Sequence, residues 1–317
     1  MSINVEDYFA RATFDKMKAF ADKQETPFVV IDTAMISQAY DDLRAGFEFA
    51  KVYYAVKANP AVEIIDLLKE KGSSFDIASI YELDKVLARG VSADRISYGN
   101  TIKKSKDIRY FYDKGVRLYS TDSEADLRNI AKAAPGSKVY VRILTEGSTT
   151  ADWPLSRKFG CQTDMAMDLL ILARDLGLVP YGISFHVGSQ QRDISVWDAA
   201  IAKVKVIFER LKEEDGIVLK LINMGGGFPA NYITRTNSLE TYAEEIIRFL
   251  KEDFGDDLPE IILEPGRSLI SNAGILVSEV VLVARKSRTA VERWVYVDVG
   301  KFSGLIETMD EAIKFPI

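Results

Sequence analysis

The sequence has 317 residues, of which 47% are hydrophobic and 28% charged, with a net charge of −6 from 41 basic and 47 acidic side chains. This composition excludes a disordered or fibrous chain, and the even mixture of charges argues against a nucleic-acid or polybasic membrane partner. A single cysteine, Cys161, excludes an intrachain disulfide and any multi-cysteine metal site, which suits a reducing compartment. We expect small molecules or proteins as partners, no metal, and the cytoplasm as location, since the N-terminus lacks a signal-type apolar region.

Short apolar runs alternate with longer helical patterns along the chain. After an entry strand at 27–32, eight runs are typical of buried strands: 52–58, 74–79, 95–99, 116–122, 138–144, 181–189, 219–227 and 260–266. Amphipathic stretches with apolar residues at helical spacing lie between them. Eight β/α units over roughly 240 residues predict an α/β fold, a (β/α)8 barrel of the TIM type, although a doubly wound open sheet shows the same alternation.

Two segments depart from this alternation of strand and helix patterns. The stretch "TEGSTTADWPLSRKFG" at 145–160 is too long for an ordinary strand-to-helix connection and is interpreted as an active-site loop. After Gly266, "GILVSEVVLVARKS" and "RWVYVDVG" are strand-like without a helix between them, which predicts an incomplete β-rich second domain. We therefore divide the chain into a barrel at 33–272 and a partial β-domain made of 1–32 and 273–317.

Polar residues cluster where the predicted strands end, and in a barrel these ends share the face that carries the chemistry. They are Lys57, Asp76, Arg142, His186, Ser189, the glycines 225–227 and the segment 264–267. The turn "NMGGGFP" can expose backbone N–H groups to a phosphate, and Ser189 and Arg267 can add a hydroxyl and a positive charge. Singly, such a lysine is more often solvated, such a histidine a core residue, and a glycine run a flexible turn. Their convergence favours pyridoxal phosphate, an aldehyde cofactor that bonds a lysine and bears a phosphate.

Five motifs carry a family resemblance: "YYAVKANP", "SFDIAS", "SFHVGSQ", "NMGGGFP" and "EPGR". In this order and spacing the chain resembles, over its whole length, the alanine-racemase-type fold of pyridoxal-phosphate enzymes, and within it the ornithine/lysine/diaminopimelate/arginine decarboxylase group. The resemblance implies that Lys57 carries the cofactor as an imine, that His186 stacks on its ring, and that Glu264 pairs with the pyridine nitrogen. Further cofactor-binding residues implied are Asp76, Arg142, Ser189, Gly226, Gly227, Pro265, Gly266 and Arg267, and Lys158 matches a lysine of the loop over the site.

The residue beside the pyridine nitrogen distinguishes reactions within this fold. Loss of carbon dioxide leaves an electron pair that the ring accepts best when its nitrogen is protonated, and a carboxylate such as Glu264 favours that form. The racemases of this fold have an arginine there, so Glu264 favours a decarboxylase. The resemblance places Asp310 at the distal ammonium of the substrate, which favours ornithine or lysine over diaminopimelate. Ornithine and lysine differ by one methylene, worth about 1–3 kcal/mol in a pocket, and only the overall resemblance favours L-ornithine, which would give putrescine.

The chain departs from the family after Ile317. In the family a C-terminal segment supplies a "CDS"-type cysteine and aspartate that reach into the partner subunit's site, and a tyrosine on the phosphate. The resemblance therefore implies a homodimer for the complete protein, and a 317-residue chain that is poorly soluble and inactive alone. An alternative is a catalytically silent binding protein similar to the antizyme inhibitors. A small cofactor-carrier barrel is less favoured because of the β-rich start after Gly266.

Overall fold

The computed structural model describes residues 4–145, 150–153 and 158–317, in which strands and helices alternate. The strands are β1 Phe28–Ile31, β2 Ala50–Ala55, β3 Ser74–Ile77, β4 Ile96–Tyr98, β5 Leu118–Thr121, β6 Lys138–Arg142, β7 Ala151–Trp153, β8 Val179–Ser184, β9 Ser189–Gln191, β10 Leu221–Asn223, β11 Glu260–Leu263, β12 Gly274–Val277, β13 Val280–Ala284 and β14 Trp294–Val297. The helices are α1 Arg11–Ala21, α2 Thr33–Gly46, α3 Val62–Glu70, α4 Ile80–Ala88, α5 Ser105–Asp113, α6 Glu124–Ala133, α7 Thr163–Asp175, α8 Ser195–Asp215, α9 Leu239–Phe254 and α10 Arg267–Ile270.

Eight parallel strands close into a barrel in the order β2, β3, β4, β5, β6, β8, β10 and β11. The last strand, β11, pairs with β10 on one side and with β2 on the other, so the sheet has no free edge. The predicted (β/α)8 barrel is therefore confirmed, and the open sheet is excluded. One predicted run is divided in two. The segment 181–189 ends its barrel strand at Ser184, and Ser189 begins β9 outside the barrel.

Apolar side chains fill both sides of the barrel wall. Inside it, Tyr53, Tyr140, Leu221 and Ile262 pack together, and the larger core lies between the strands and the surrounding helices. Strands buried on both faces require near-continuous apolar runs, which is why the sequence pattern located them. Several helices begin at a capping side chain; Ser79, for example, accepts a hydrogen bond from the backbone of α4.

Three small antiparallel sheets lie outside the barrel in the described chain, and two of them are built from the segments before and after the barrel. Strand β1 pairs with β12, and β13 pairs with β14. The strand-like segments predicted after Gly266 are therefore present, whereas the division into a barrel at 33–272 and a β-domain of 1–32 and 273–317 stays a prediction. Within the described residues, no helix combines the length and the apolar character needed to cross a lipid bilayer.

The predicted active-site loop at 145–160 falls partly outside the described residues. Its described part includes β7, which pairs antiparallel with β9 so that Trp153 lies opposite Ser189. The loop therefore adds a short strand beside the carboxyl end of β8. Residues 146–149 and 154–157 lie outside the described part of the chain.

Candidate active site

Lys57 stands at the carboxyl end of a barrel strand, on the short turn Val56–Ala58 that follows β2. Its Nζ lies 3.7 Å from Oδ2 of Asp76, and its side chain is 63% exposed toward the mouth of the barrel, whereas that of Asp76 is 5% exposed. Burial raises the pKa of Asp76, and the positive charges of Lys57 and Arg142 oppose this shift. Asp76 Oδ1 is buried and has no hydrogen-bond partner among the described residues. An ammonium and a partly unsatisfied carboxylate thus face each other at the barrel mouth.

The segment before α10 supports the turn that carries Lys57. The carbonyl oxygen of Pro265 accepts a 3.0 Å hydrogen bond from the N–H of Ala55, at the end of β2. A β-carbon on Gly266 would lie 3.0 Å from Cβ of Ala58, so a side chain there would press on the lysine turn. Glycine at 266 therefore permits the close contact between these two loops.

Glu264 follows β11 and is held by the strand beside it. Asn223, 1% exposed at the end of β10, donates a 2.5 Å hydrogen bond from Nδ2 to Oε1 of Glu264. The Oδ1 atom of Asn223 accepts a 2.9 Å bond from the N–H of Gly225. Burial raises the pKa of Glu264 to about 7, and the charge of Asp76 acts in the same direction, whereas Lys57 and the bond from Asn223 oppose the shift. Near neutral pH this carboxyl group can therefore hold or release a proton.

His186 follows β8 and is neutral. Burial lowers its pKa well below 6.5, and the positive charges of Arg142 and Lys57 add to the effect. Its Nδ1 accepts a 3.1 Å hydrogen bond from the N–H of Gly188, which places the ring proton on Nε2. Arg142, at the end of β6, is also largely enclosed, and burial lowers its pKa although Glu264 and other carboxylates oppose this. A flat neutral ring and a cation thus flank Lys57 and Glu264.

The three glycines after β10 make a turn that no other residue could adopt without collisions. Gly225 and Gly227 have φ of +64° and +101°, where L-residues are strained. A β-carbon on Gly226 would lie 2.5 Å from the carbonyl oxygen of Glu264, and one on Gly227 would lie 2.6 Å from that of Gly188. The backbone of this turn therefore lies directly against the loops that carry His186 and Glu264.

Arg267, the first residue of α10, lies beside this turn. Its Nε donates a 3.1 Å hydrogen bond to Oγ of Ser189, and Nη1 donates to the Tyr232 hydroxyl at 3.3 Å. Its guanidinium also forms a two-point ion pair with Glu307. Arg267, Ser189 and the glycine turn together can bind an anion such as a phosphate.

Two predicted residues lie away from this centre. Lys158 is exposed, and its Nζ lies 5.0 Å from the centroid of the Phe159 ring. The guanidinium carbon of Arg142 lies 5.3 Å from the same centroid, which connects the end of the loop to the site. Asp310 is exposed in the turn Ile306–Glu311, and within the described chain it has no recorded hydrogen bond or ion pair. The structure thus gathers the predicted strand-end residues and leaves Asp310 exposed, without a partner among the described residues.

Two contacts in the site had no counterpart among the predicted residues. Asn223 is the first residue of "NMGGGFP", and its place at the end of a strand was a usable signal, since the side chains of neighbouring strand ends meet at that face. Glu307 gave no such signal, because it is 40 residues from Arg267 and belongs to none of the five motifs that predicted the site.

Comparison with known proteins identifies relatives of this arrangement. Residues 33–271 match the family model described as pyridoxal-dependent decarboxylase, pyridoxal binding domain. Curated relatives include a lysine/ornithine decarboxylase of Selenomonas ruminantium, 33% identical over 300 residues that cover 93% of this chain and 75% of the relative. An ornithine decarboxylase of Saccharomyces cerevisiae is 33% identical over 283 residues, which cover 89% of this chain and 59% of the yeast protein. The chain thus spans about three quarters and three fifths of the length of these two relatives.

Solved structures show the same fold. A lysine decarboxylase from Selenomonas ruminantium superposes with a TM-score of 0.83 at 30% identity, covering 96% of this chain and 78% of that one. A lysine/ornithine decarboxylase from Vibrio vulnificus, complexed with putrescine, superposes with a TM-score of 0.86 at 25% identity, covering 97% and 81%.

Proposed function

Because this chain belongs to the family of pyridoxal-dependent decarboxylases, we propose that it is the cofactor-binding part of an enzyme that removes carbon dioxide from a basic L-amino acid, with L-ornithine preferred. The expected cofactor, pyridoxal phosphate, is confirmed by the match of residues 33–271 to the family's pyridoxal-binding domain. The observation that carries the proposal is that Lys57, His186 and Glu264 meet at one end of the barrel, beside the anion-binding group formed by Arg267 and the glycine turn.

The residues present fit this cofactor. Asp76 Oδ1 is buried without a hydrogen-bond partner in the described chain. It can therefore accept a hydrogen bond from a polar substituent of the cofactor ring or from Lys57. Within the described chain neither Gly226 nor Gly227 donates a hydrogen bond from its backbone N–H, so both N–H groups are available to a phosphate. Lys57 would hold the aldehyde end, and Ser189, Gly227 and Arg267 the phosphate.

The bound cofactor supplies a ring that withdraws the electron pair left on the α-carbon as carbon dioxide departs. Glu264 would hold a proton on the ring nitrogen, because its carboxylate form lowers the energy of a cation beside it. Asn223 keeps one carboxylate oxygen occupied by its 2.5 Å hydrogen bond, so the other oxygen remains for the ring. The neutral ring of His186 would cover one face without adding a positive charge that repels the ring cation.

Lys57 would also handle protons at the reacting carbon. Its long side chain extends into the open mouth, and the nearby carboxylate of Asp76 attracts its ammonium form. From that position Nζ would deliver a proton to the α-carbon once carbon dioxide has left and would itself become neutral, and Asp76 would stabilise the positive charge on Nζ before the transfer.

The choice of substrate rests on the names of the relatives and on Asp310. The relatives include lysine/ornithine and ornithine decarboxylases, and the Vibrio vulnificus structure contains putrescine. These names support a substrate with a distal ammonium, for which Asp310 is the proposed partner, and ornithine is preferred over lysine on overall resemblance. We also propose that the complete protein is a homodimer, and that residues 1–317 alone have little activity because β13 and β14 expose both of their faces.

The experiment that tests the proposal is chemical labelling of the lysine. After incubation with pyridoxal phosphate and reduction with borohydride, peptide mapping should find the cofactor on the peptide that contains Lys57. Lys103 is the internal control, because its Nζ is fully buried and bonded to Asp126 at 2.7 Å. A label on Lys103 or on Lys158, or no label, would contradict the proposal. Release of carbon dioxide from ornithine, lysine and diaminopimelate by a form extended with a relative's C-terminal segment then ranks the substrates.

A further inference from the structure

Arg267 and Glu307 form a two-point ion pair at the edge of the anion-binding group. Nη1 of Arg267 lies 2.7 Å from Oε2 of Glu307, and Nη2 lies 2.5 Å from Oε1. The arginine side chain is 15% exposed and that of the glutamate 29%, so the pair is largely shielded from water. Such paired contacts orient a guanidinium as well as neutralise it.

The remaining donors of Arg267 point elsewhere. A guanidinium has five N–H groups, and here Nη1 contacts Glu307 and Tyr232, Nη2 contacts Glu307, and Nε contacts Ser189. Glu307 occupies the edge between Nη1 and Nη2. The adjacent edge, between Nε and Nη2, keeps one free N–H of Nη2 on the side of Ser189.

We propose that Glu307 is a positioning residue for the phosphate site: by holding one edge of the Arg267 guanidinium, it directs the adjacent edge toward Ser189 and the glycine turn. This inference rests on the proposed function, which assigns the phosphate to that position. Without Glu307 the arginine keeps only single neutral hydrogen bonds to Ser189 and Tyr232, which hold its orientation less firmly than the two-point ion pair does. Fixed orientation matters because an ordered donor loses less entropy when its ligand binds.

The segment that carries Glu307 has other anchors. Ile313 is buried with Ala230 and Tyr232, and the Phe315 ring lies 5.1 Å from that of Tyr232. The substitution Glu307→Gln should therefore remove the charge without releasing the segment. Glu311→Gln is the matched control, because Glu311 is in the same turn and pairs with Lys314 in solvent.

The test measures binding to the full cofactor-free chain. Dissociation constants for pyridoxal phosphate, for pyridoxal and for inorganic phosphate are compared among the parent, Glu307→Gln and Glu311→Gln. We expect Glu307→Gln to weaken binding of pyridoxal phosphate and inorganic phosphate about tenfold, the size of one charge-assisted hydrogen bond, and to leave pyridoxal binding unchanged. Glu311→Gln should match the parent in all three.

A double-substitution cycle separates positioning from general damage. In an Arg267→Gln background, adding Glu307→Gln should have no further effect on phosphate binding if Glu307 acts through Arg267. Equal weakening of pyridoxal and pyridoxal phosphate would overturn the inference, since the role would then be structural. Tighter phosphate binding by Glu307→Gln would also overturn it, because Glu307 would then compete with the phosphate. If the parent chain binds pyridoxal phosphate no more tightly than pyridoxal, the phosphate site of the proposed function is contradicted, independently of the role of Glu307.

Discussion

At the scale of single residues, burial and neighbouring charges set the protonation states of the side chains in the site. The charge of Asp76 raises the pKa of Glu264, and burial raises the pKa of both carboxyl groups, while Lys57 and Arg142 act in the opposite direction. His186 stays neutral for the converse reason, since burial and neighbouring cations disfavour its charged form. Such opposed shifts within one cleft are typical of functional sites.

Glu264→Gln should change how the stability of the cofactor-free chain depends on pH. The pKa of Glu264 is raised from 4.5 to about 7, so the folded chain binds a proton there more tightly than the unfolded chain does. This contribution to stability is fully present below pH 4.5 and is lost as the pH rises through about 7. The free energy of unfolding, measured in urea from pH 5 to 8, should therefore fall less steeply for Glu264→Gln than for the parent.

Glu260→Gln provides the control for this measurement. Glu260 lies at the other end of the same strand and pairs with Lys51 at 2.9 Å. Parallel pH profiles for the parent and Glu264→Gln would show that Glu264 does not carry the shifted proton.

At the scale of elements, short turns join the barrel strands to the site. The glycine turn lies against two other loops, and the turn Ile306–Glu311 is fastened to α10 by the bond between Glu307 and Arg267. The latter turn presents Asp310 with φ of +54°, a left-handed conformation. Asparagine tolerates that conformation well, so Asp310→Asn removes the charge without straining the backbone.

Asp310→Asn should weaken the binding of basic substrates far more than the binding of the cofactor. If Asp310 binds the distal ammonium, the loss of its charge should raise KM for ornithine at least tenfold, as expected for one charged hydrogen bond. The measurement uses the form extended with a relative's C-terminal segment, and titration with pyridoxal phosphate gives the cofactor affinity. Asp257→Asn, an exposed site before β11 at the opposite end of the barrel, is the control. Equal effects on substrate and cofactor would place Asp310 outside the substrate pocket.

At the scale of the whole molecule, the barrel and the outer strands differ in how well they are covered. The barrel core is fully enclosed, whereas β13 and β14 form a two-stranded sheet whose apolar residues are exposed on both faces. Val281 and Val295, for example, are 64% and 57% exposed. An isolated pair of strands with apolar faces and open edges is an association site.

We expect the 317-residue chain to associate through this sheet. Replacing Val281 and Val295 together with lysine should lower the fraction of large species in sedimentation velocity at increasing concentration, because charges on an edge strand oppose pairing. The same replacements at Val206 and Val218, which are 53% and 60% exposed elsewhere, are the control. A chain that stays monomeric before any replacement would contradict this expectation.

The sequence by itself determined the eight barrel strands and the end of each strand at which Lys57, His186 and Glu264 stand. It could do so because strands buried on both faces need apolar runs, and because a glycine turn or a break follows each of these residues directly. The family motifs that identified the cofactor are local in the same sense, since each lies within a few consecutive residues.

Only the tertiary structure decided the closure of the barrel and the contacts that tune the site. Closure depends on the pairing of β11 with β2, which lie at opposite ends of the barrel sequence. The bond of Asn223 to Glu264 spans 41 residues and that of Arg267 to Glu307 spans 40. No local pattern encodes such pairs, because the free energy that brings them together comes from the packing of the whole barrel and not from the residues beside them.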